Sequence, residues 1–145
     1  MQHFDLDQSV GYTLNIAANL LKRELNAEFQ RAGIDILAEQ WALLYRLDER
    51  DGMNQQELAA SLSRDSGSVT RTVVTLEAKR LLERRQLETD RRHRYLYLTP
   101  AGKELLPQLV ECAERVLQRA TDGFTPQEVT QFNLQIIKLM RNITE

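Results

Sequence analysis

Nine basic side chains crowd into one short stretch of the chain: Arg64, Arg71, Lys79, Arg80, Arg84, Arg85, Arg91, Arg92 and Arg94. Five acids, Asp65, Glu77, Glu83, Glu88 and Asp90, share that stretch, which leaves it at +4 although the 145-residue chain carries −2. The rest of the chain is therefore −6. Guanidinium groups donate paired, charge-assisted hydrogen bonds to phosphates and to the acceptor edge of guanine, so the chemistry on offer is polyanion binding. An acidic body bearing one basic patch accepts a polyanion in a single orientation, because its other faces repel phosphate. The densest run is Asp90-Arg91-Arg92-His93-Arg94. There Asp90 can accept from Arg92, two positions on, and reduce the entropy that the arginine loses on entering a minor groove.

Other chemistries lack their parts. The two histidines, His3 and His93, and the one cysteine, Cys112, are too few and too scattered for a metal site, and no cofactor is expected. Cys112 follows Leu109 by three and precedes Val116 by four, a place on an apolar helical stripe where a buried, inert thiol is expected. No Ser-His-Asp set, phosphate-cradling glycine loop or usefully spaced acid pair occurs, so no enzymatic activity is expected. Residues 1–10 carry no basic segment followed by an apolar one, and no stretch approaches the roughly eighteen apolar residues of a membrane span. A reducing cytoplasm is the expected location, with no membrane partner.

The elements that must position the arginines are mainly helical. Apolar residues recur at Val10, Leu14, Ala17, Leu21, Leu25 and Phe29 before Gly33, giving a first helix over 8–32. A second helix over 38–49 sets Trp41, Leu44, Tyr45 and Leu47 on one stripe and ends at Asp51-Gly52. Asn54 can cap a short third helix, with Glu57 reaching back to its amide and Leu58, Ala59 and Leu62 turned inward. Across a tight turn, Val69, Val73 and Leu76 define the buried face of a fourth. The rhythm then changes to period two: Arg94, Leu96 and Leu98 point one way, Tyr95 and Tyr97 the other. With residues 83–87 as partner this reads as a two-stranded hairpin whose tip, 89–93, is polar and arginine-rich. Thr99-Pro100 opens a long fifth helix that Pro107 should bend, and Thr125-Pro126-Gln127-Glu128 opens a sixth through a capping box.

Short helix, tight turn, second helix and basic hairpin is the order of a winged helix-turn-helix. The expected fold is mainly α with a small β-hairpin wing: one domain over 1–145, with a winged DNA-binding module over 38–98 and dimerisation helices over 8–32 and 100–145. With Val69, Val73 and Leu76 inward, the advance of about 100° per residue turns Gly67, Ser68, Arg71, Thr75 and Ala78 outward. Small residues let a helix approach base edges, hydroxyls bond phosphates or bases, and Arg71 suits guanine. The expected DNA-contacting set is Ser66, Ser68, Thr70, Arg71 and Thr75 on the helix and Asp90, Arg91, Arg92 and Arg94 on the wing.

The run Asn54-Gln-Gln-Glu-Leu-Ala-Ala-Ser-Leu62, then Ser68-Val-Thr-Arg71, Leu76-Glu77, Leu82-Glu-Arg84, Asp90-Arg-Arg92 and Leu98-Thr-Pro-Ala-Gly102, resembles the MarR family, the multiple-antibiotic-resistance regulators. The flanking helices match that family's layout, so the resemblance covers nearly the whole chain. It implies an obligate dimer in which the first helix and the last two interlock, helix four reads the major groove, and Arg92 enters the minor groove beside Asp90. It also implies control by small aromatic or phenolic anions bound between the dimer helices and the winged module, where Tyr12, Trp41 and Tyr45 are candidate lining residues; their helical spacing favours core positions. One departure stands out: the family usually has glycine where this chain has Arg80, at the end of the recognition helix.

The apolar surface agrees with a dimer. Leu20, Leu21, Leu105, Leu106, Leu109, Val110, Val116, Leu117, Ile136, Ile137 and Leu139 occupy more than one helical stripe, and a second copy is the simplest cover. Two-fold symmetry sets two recognition helices about 34 Å apart, one turn of B-DNA, and so calls for an inverted-repeat duplex. The expected function is a homodimeric repressor of palindromic operators, relieved by ligand. The rival reading is a winged-helix module that binds proteins and leaves DNA alone.

Overall fold

The computed structural model describes residues 3–144, with the side chains of Arg91 and His93 outside the description. A 3-10 turn at Leu6–Gln8 precedes α1 (Val10–Arg31), α2 (Ala38–Glu49), β1 (Met53–Asn54), α3 (Gln55–Ser61) and α4 (Ser66–Ala78). Then follow β2 (Leu82–Leu87), β3 (Asp90–Leu98), α5 (Pro100–Ala120) and α6 (Pro126–Thr144). None of the described helices is long and apolar enough to cross a membrane.

Capping chemistry sets most helix ends. Gly33 takes φ 75°, and the bonds from Gly33 N–H to Gln30 C=O and from Ile34 N–H to Phe29 C=O close α1. Thr99 Oγ1 accepts the Gly102 N–H at 3.1 Å, and Pro100 takes the first helical position of α5, which runs on through Pro107. Thr125 and Glu128 exchange reciprocal bonds of 3.1 and 2.9 Å at the start of α6. Asn54 departs from the expected box. Its Oδ1 accepts the Glu57 N–H at 2.8 Å, but the Glu57 carboxylate takes the Asn54 side-chain amide at 2.9 Å instead of the main-chain one. The reason is that Asn54 pairs through its main chain with Tyr95.

That pairing adds a third strand to the expected hairpin, which β2 and β3 form. The sheet has three antiparallel strands in the order β1-β3-β2, with Met53 opposite Leu96 and Leu82 opposite Leu98. The turn is only residues 88 and 89, so the wing arginines lie on strand β3 and not in a loop at the tip. The register shifts between Gln86, opposite Arg94, and Leu87, opposite Asp90.

The core gathers Phe29 from α1, Leu43, Leu44 and Leu47 from α2, and Leu58 from α3. Val69, Val73 and Leu76 of α4 join it with Leu82, Leu96 and Leu98 of the sheet and Leu106, Leu109 and Cys112 of α5. Each such aliphatic side chain, fully buried, stabilises the fold by about 1.5–3 kcal/mol. Cys112 is buried as expected, with Arg115 Nη2 at 3.3 Å from its sulfur. The core reading fails for two aromatics: Tyr12 and Tyr45 are exposed, and Trp41, half-buried, meets Tyr45 edge-on at 5.3 Å. α1 and α5 are further tied by Glu28, which accepts from Arg31 at 2.8 Å, Arg115 at 2.9 Å and Arg119 at 3.3 Å. These guanidiniums, Arg31 first, hold its carboxyl down at about 2.

The outer helices differ from the module. α6 contributes no buried residue, and Phe132, Leu134 and Met140 lie exposed on it. Val10, Ile16, Leu20 and Leu21 of α1 and Leu117 of α5 are exposed as well. Of the residues that the sequence pattern assigned to apolar stripes, Phe29, Leu106, Leu109 and Val116 are buried within the chain, whereas Val10, Leu20, Leu21 and Leu117 face away from its core.

Candidate nucleic-acid interface

α4 is set by its ends and its inner face. Asp65 Oδ1 accepts the Ser68 N–H at 2.8 Å and caps the helix, while Val69, Thr72, Val73 and Leu76 are buried beneath it. Ser66, Gly67, Thr70, Arg71, Val74, Thr75 and Ala78 are exposed, and Ser68 is half-buried. The expected outward residues are therefore outward, Ser68 in part.

The hydroxyls on α4 are less available than their exposure implies. Thr70 donates to the Ser66 carbonyl at 2.7 Å and accepts from Gln55 Nε2, and Thr75 donates to the Arg71 carbonyl at 3.0 Å. Ser68 accepts from Arg64 Nη2 at 2.6 Å; the same nitrogen reaches Thr72 Oγ1 at 2.9 Å, and Arg64 Nη1 reaches the Glu39 carbonyl at 3.3 Å. Arg64 thus fastens the first half of α4 to α2. Arg71 is exposed at the rim of a cleft of about 230 Å³ lined also by Glu39, Arg64, Ser68 and Thr75.

On the wing, Asp90 Oδ1 accepts the main-chain N–H of Arg92 at 3.0 Å, and its Oδ2 accepts the Tyr95 hydroxyl at 3.0 Å. The bond to Asp90 raises the Tyr95 phenol above its ordinary value, so the tyrosine stays a donor. The expected Asp90–Arg92 relation is present, made through the main chain. Arg92 and Arg94 are exposed and, with Arg84, Asn54, Gln55 and Gln56, line a cleft of about 190 Å³. Arg85 is engaged elsewhere, bonded to Glu83 and lying 4.3 Å from the centre of the Tyr97 ring. The Arg91 side chain, also expected in the set, lies outside the described residues.

Gln55 joins the two halves. It lines the arginine cleft and bonds Thr70, so the outward face of α4 and the arginines of β3 belong to one continuous surface. Sequence reasoning missed Gln55, Arg64 and Val74. For Arg64 a partial signal existed: Ser68 and Thr72, the two hydroxyls it reaches, are four apart on one face of the helix it precedes.

Arg80 resolves the anomaly at the end of α4. It takes φ 61°, the left-handed region, with its N–H bonded to Glu77 C=O and the Leu81 N–H bonded to Leu76 C=O. The turn keeps the shape that glycine would favour, and the Thr99 hydroxyl fixes it by donating to the Arg80 carbonyl at 2.7 Å. Ser63, at φ 51°, ends α3 in the same way.

A helix pair with a tight turn, followed by a basic antiparallel wing, defines a winged helix-turn-helix protein. Residues 36–93 match the model of the MarR family. Over 130 residues the chain is 25% identical to the uncharacterized HTH-type transcriptional regulator YybA of Bacillus subtilis (strain 168), covering 90% of this chain and 85% of that one. The fold is also that of a mutant MarR from E. coli crystallised with operator DNA, at TM-score 0.84 and 24% identity, covering 96% of this chain and 99% of the other. BpsR of Bordetella bronchiseptica, whose DNA binding is regulated by 6-hydroxynicotinic acid, shares it at TM-score 0.83 and 22% identity, with 99% of both chains covered. Over residues 36–93, the winged module, the chain matches the MarR family of transcription regulators.

Proposed function

We propose that this protein acts in the cytoplasm as a homodimeric repressor of inverted-repeat operators, with α4 in the major groove and the β3 arginines in the minor groove. The observation that carries this reading is the continuity of the two faces through Gln55: Arg71 stands on the helix and Arg92 and Arg94 on the strand that a neighbouring groove would receive. Ser66, Thr70 and Thr75 border the bases, Ser68 acts mainly through Arg64, and Asp90 aims Arg92. Arg91 joins the wing by its position in sequence.

Dimerisation supplies the second copy of this surface. Leu20 and Leu117 are 45% and 54% exposed, and Phe132 is 52% exposed, on helices whose outer sides have no cover in one chain. A stable dimer over α1, α5 and α6 covers them and sets the two α4 helices for one duplex.

Ligand control is supported by a cleft of about 570 Å³ between the second half of α1 and the loop to α2, lined by Arg23, Asn26, Gln30, Ile34, Ile36 and Leu37. It offers a cation and apolar walls, which suits a small aromatic anion. A ligand that binds better to a dimer with the wrong helix separation weakens operator binding by its differential affinity.

Selection from a random DNA pool, followed by gel shift across salt concentrations, tests the reading. Enrichment of an inverted repeat whose retention falls steeply with salt is expected. A pool that never enriches at any salt concentration removes it and leaves the protein-binding module.

A further inference from the structure

We propose that α4 reads the C5-methyl group of a thymine in each half-site through Val74. The inference rests on the major-groove reading above and adds which base feature the helix recognises. Val74 is 51% exposed, on the side of α4 that also carries Thr70, Arg71, Thr75 and Ala78. Thr70, Arg71 and Ala78 lie three or four residues away and therefore surround it on the helix surface. A β-branched apolar residue at an exposed helical position is disfavoured by propensity and, when the protein is free, leaves apolar surface in water. Val74 is the one large hydrophobic residue exposed on the described length of α4.

The hydrogen bonds nearby make this face more apolar than its composition implies. Thr70 and Thr75 turn their hydroxyl protons back to the carbonyls of Ser66 and Arg71, and Thr70 also accepts from Gln55. Neither hydroxyl has its proton free for a base acceptor, while each threonine still carries a methyl group. Arg71 is then the long donor of this face, and Val74 is its apolar centre. In the major groove the matching apolar feature is the thymine methyl, which other bases lack. Removing the one thymine methyl from water contributes about four-fold in affinity per half-site.

The test uses the full-length protein and the duplex selected above, with each thymine of one half-site replaced in turn by uracil, which removes only the methyl group. For the wild type, one position is expected to lose about four-fold in affinity while the others hold. Val74→Ala should bind thymine and uracil duplexes alike at that position. Val74→Thr, which keeps one methyl, should retain part of the difference, and Arg92→Ala should retain all of it while binding more weakly throughout. Thermal melting of the Val74 variants checks that each is folded. A wild type indifferent to every thymine-to-uracil change, or Val74→Ala with undiminished sensitivity, overturns this inference and leaves the groove assignment standing. Failure to retain any duplex overturns the groove assignment itself.

Discussion

Asp90 Oδ1 accepts the main-chain N–H of Arg92 at 3.0 Å, so the carboxylate aims the arginine through the backbone of β3. Its other oxygen is held by the Tyr95 hydroxyl, which keeps the acceptor in place. Asp90→Asn preserves an oxygen at Oδ1, whereas Asp90→Ala removes it, and both remove the same negative charge. DNA affinity is therefore expected to fall about three- to ten-fold more in the alanine variant, the worth of one hydrogen bond. Equal affinities by fluorescence anisotropy contradict the positioning role.

Arg71 and Arg92 should separate by what they lose. Arg71→Ala is expected to flatten preference at one base position, by about 1–3 kcal/mol of discrimination. Arg92→Ala should weaken binding to all sequences and lower the slope of log affinity against log salt by about 1. Competition binding with single-base variants at several salt concentrations reads both effects.

Arg80 stores strain that glycine relieves. The left-handed conformation at φ 61° costs a non-glycine residue about 1–2 kcal/mol, while glycine loses roughly 0.5–1 kcal/mol more chain entropy on folding. Arg80→Gly should therefore gain about 0.5–1 kcal/mol in urea unfolding. A loss of stability shows that the Arg80 side chain contributes more than the strain costs.

Gly102 is fixed by space. A Cβ there would stand 2.2 Å from the Leu81 carbonyl oxygen, and that carbonyl already accepts the Thr99 N–H. Backbone must move to admit a methyl group, so Gly102→Ala is expected to destabilise by about 1–3 kcal/mol despite alanine's better helix propensity. A midpoint unchanged in urea unfolding contradicts the close approach.

Acid should release the clamp between α1 and α5. Glu28 has its folded value held at about 2, below the ordinary 4.5, by Arg31 first and then Arg115. Its contribution is present in full above pH 4.5 and is lost as pH falls toward 2. Glu28→Gln should lower the melting temperature at neutral pH and flatten its fall across that window.

Much of this was legible because it is local. The caps at Thr99 and Thr125 and the inward trio Val69, Val73 and Leu76 follow from neighbours within a turn of chain, whereas the conformation of Arg80 was left open by the sequence and is settled only by the backbone. What escaped depends on partners far away in sequence. β1 is two residues long and exists only because Met53 and Asn54 pair with Leu96 and Tyr95. Arg64 acquires its role from a carbonyl on α2, and the exposure of Tyr12 and Tyr45 reflects a core that Leu43, Leu44 and Leu47 fill first. Val74 sits beside the buried Val73, where helical periodicity alone could have passed either to the inner face.

Sedimentation equilibrium of the purified chain, alone and with one labelled inverted-repeat duplex, bears most directly on the claim of a two-fold DNA-binding assembly. The expected result is a dimer at micromolar concentration and two chains per duplex, with the complex dissociating as salt rises. A monomer that leaves every duplex unbound contradicts it.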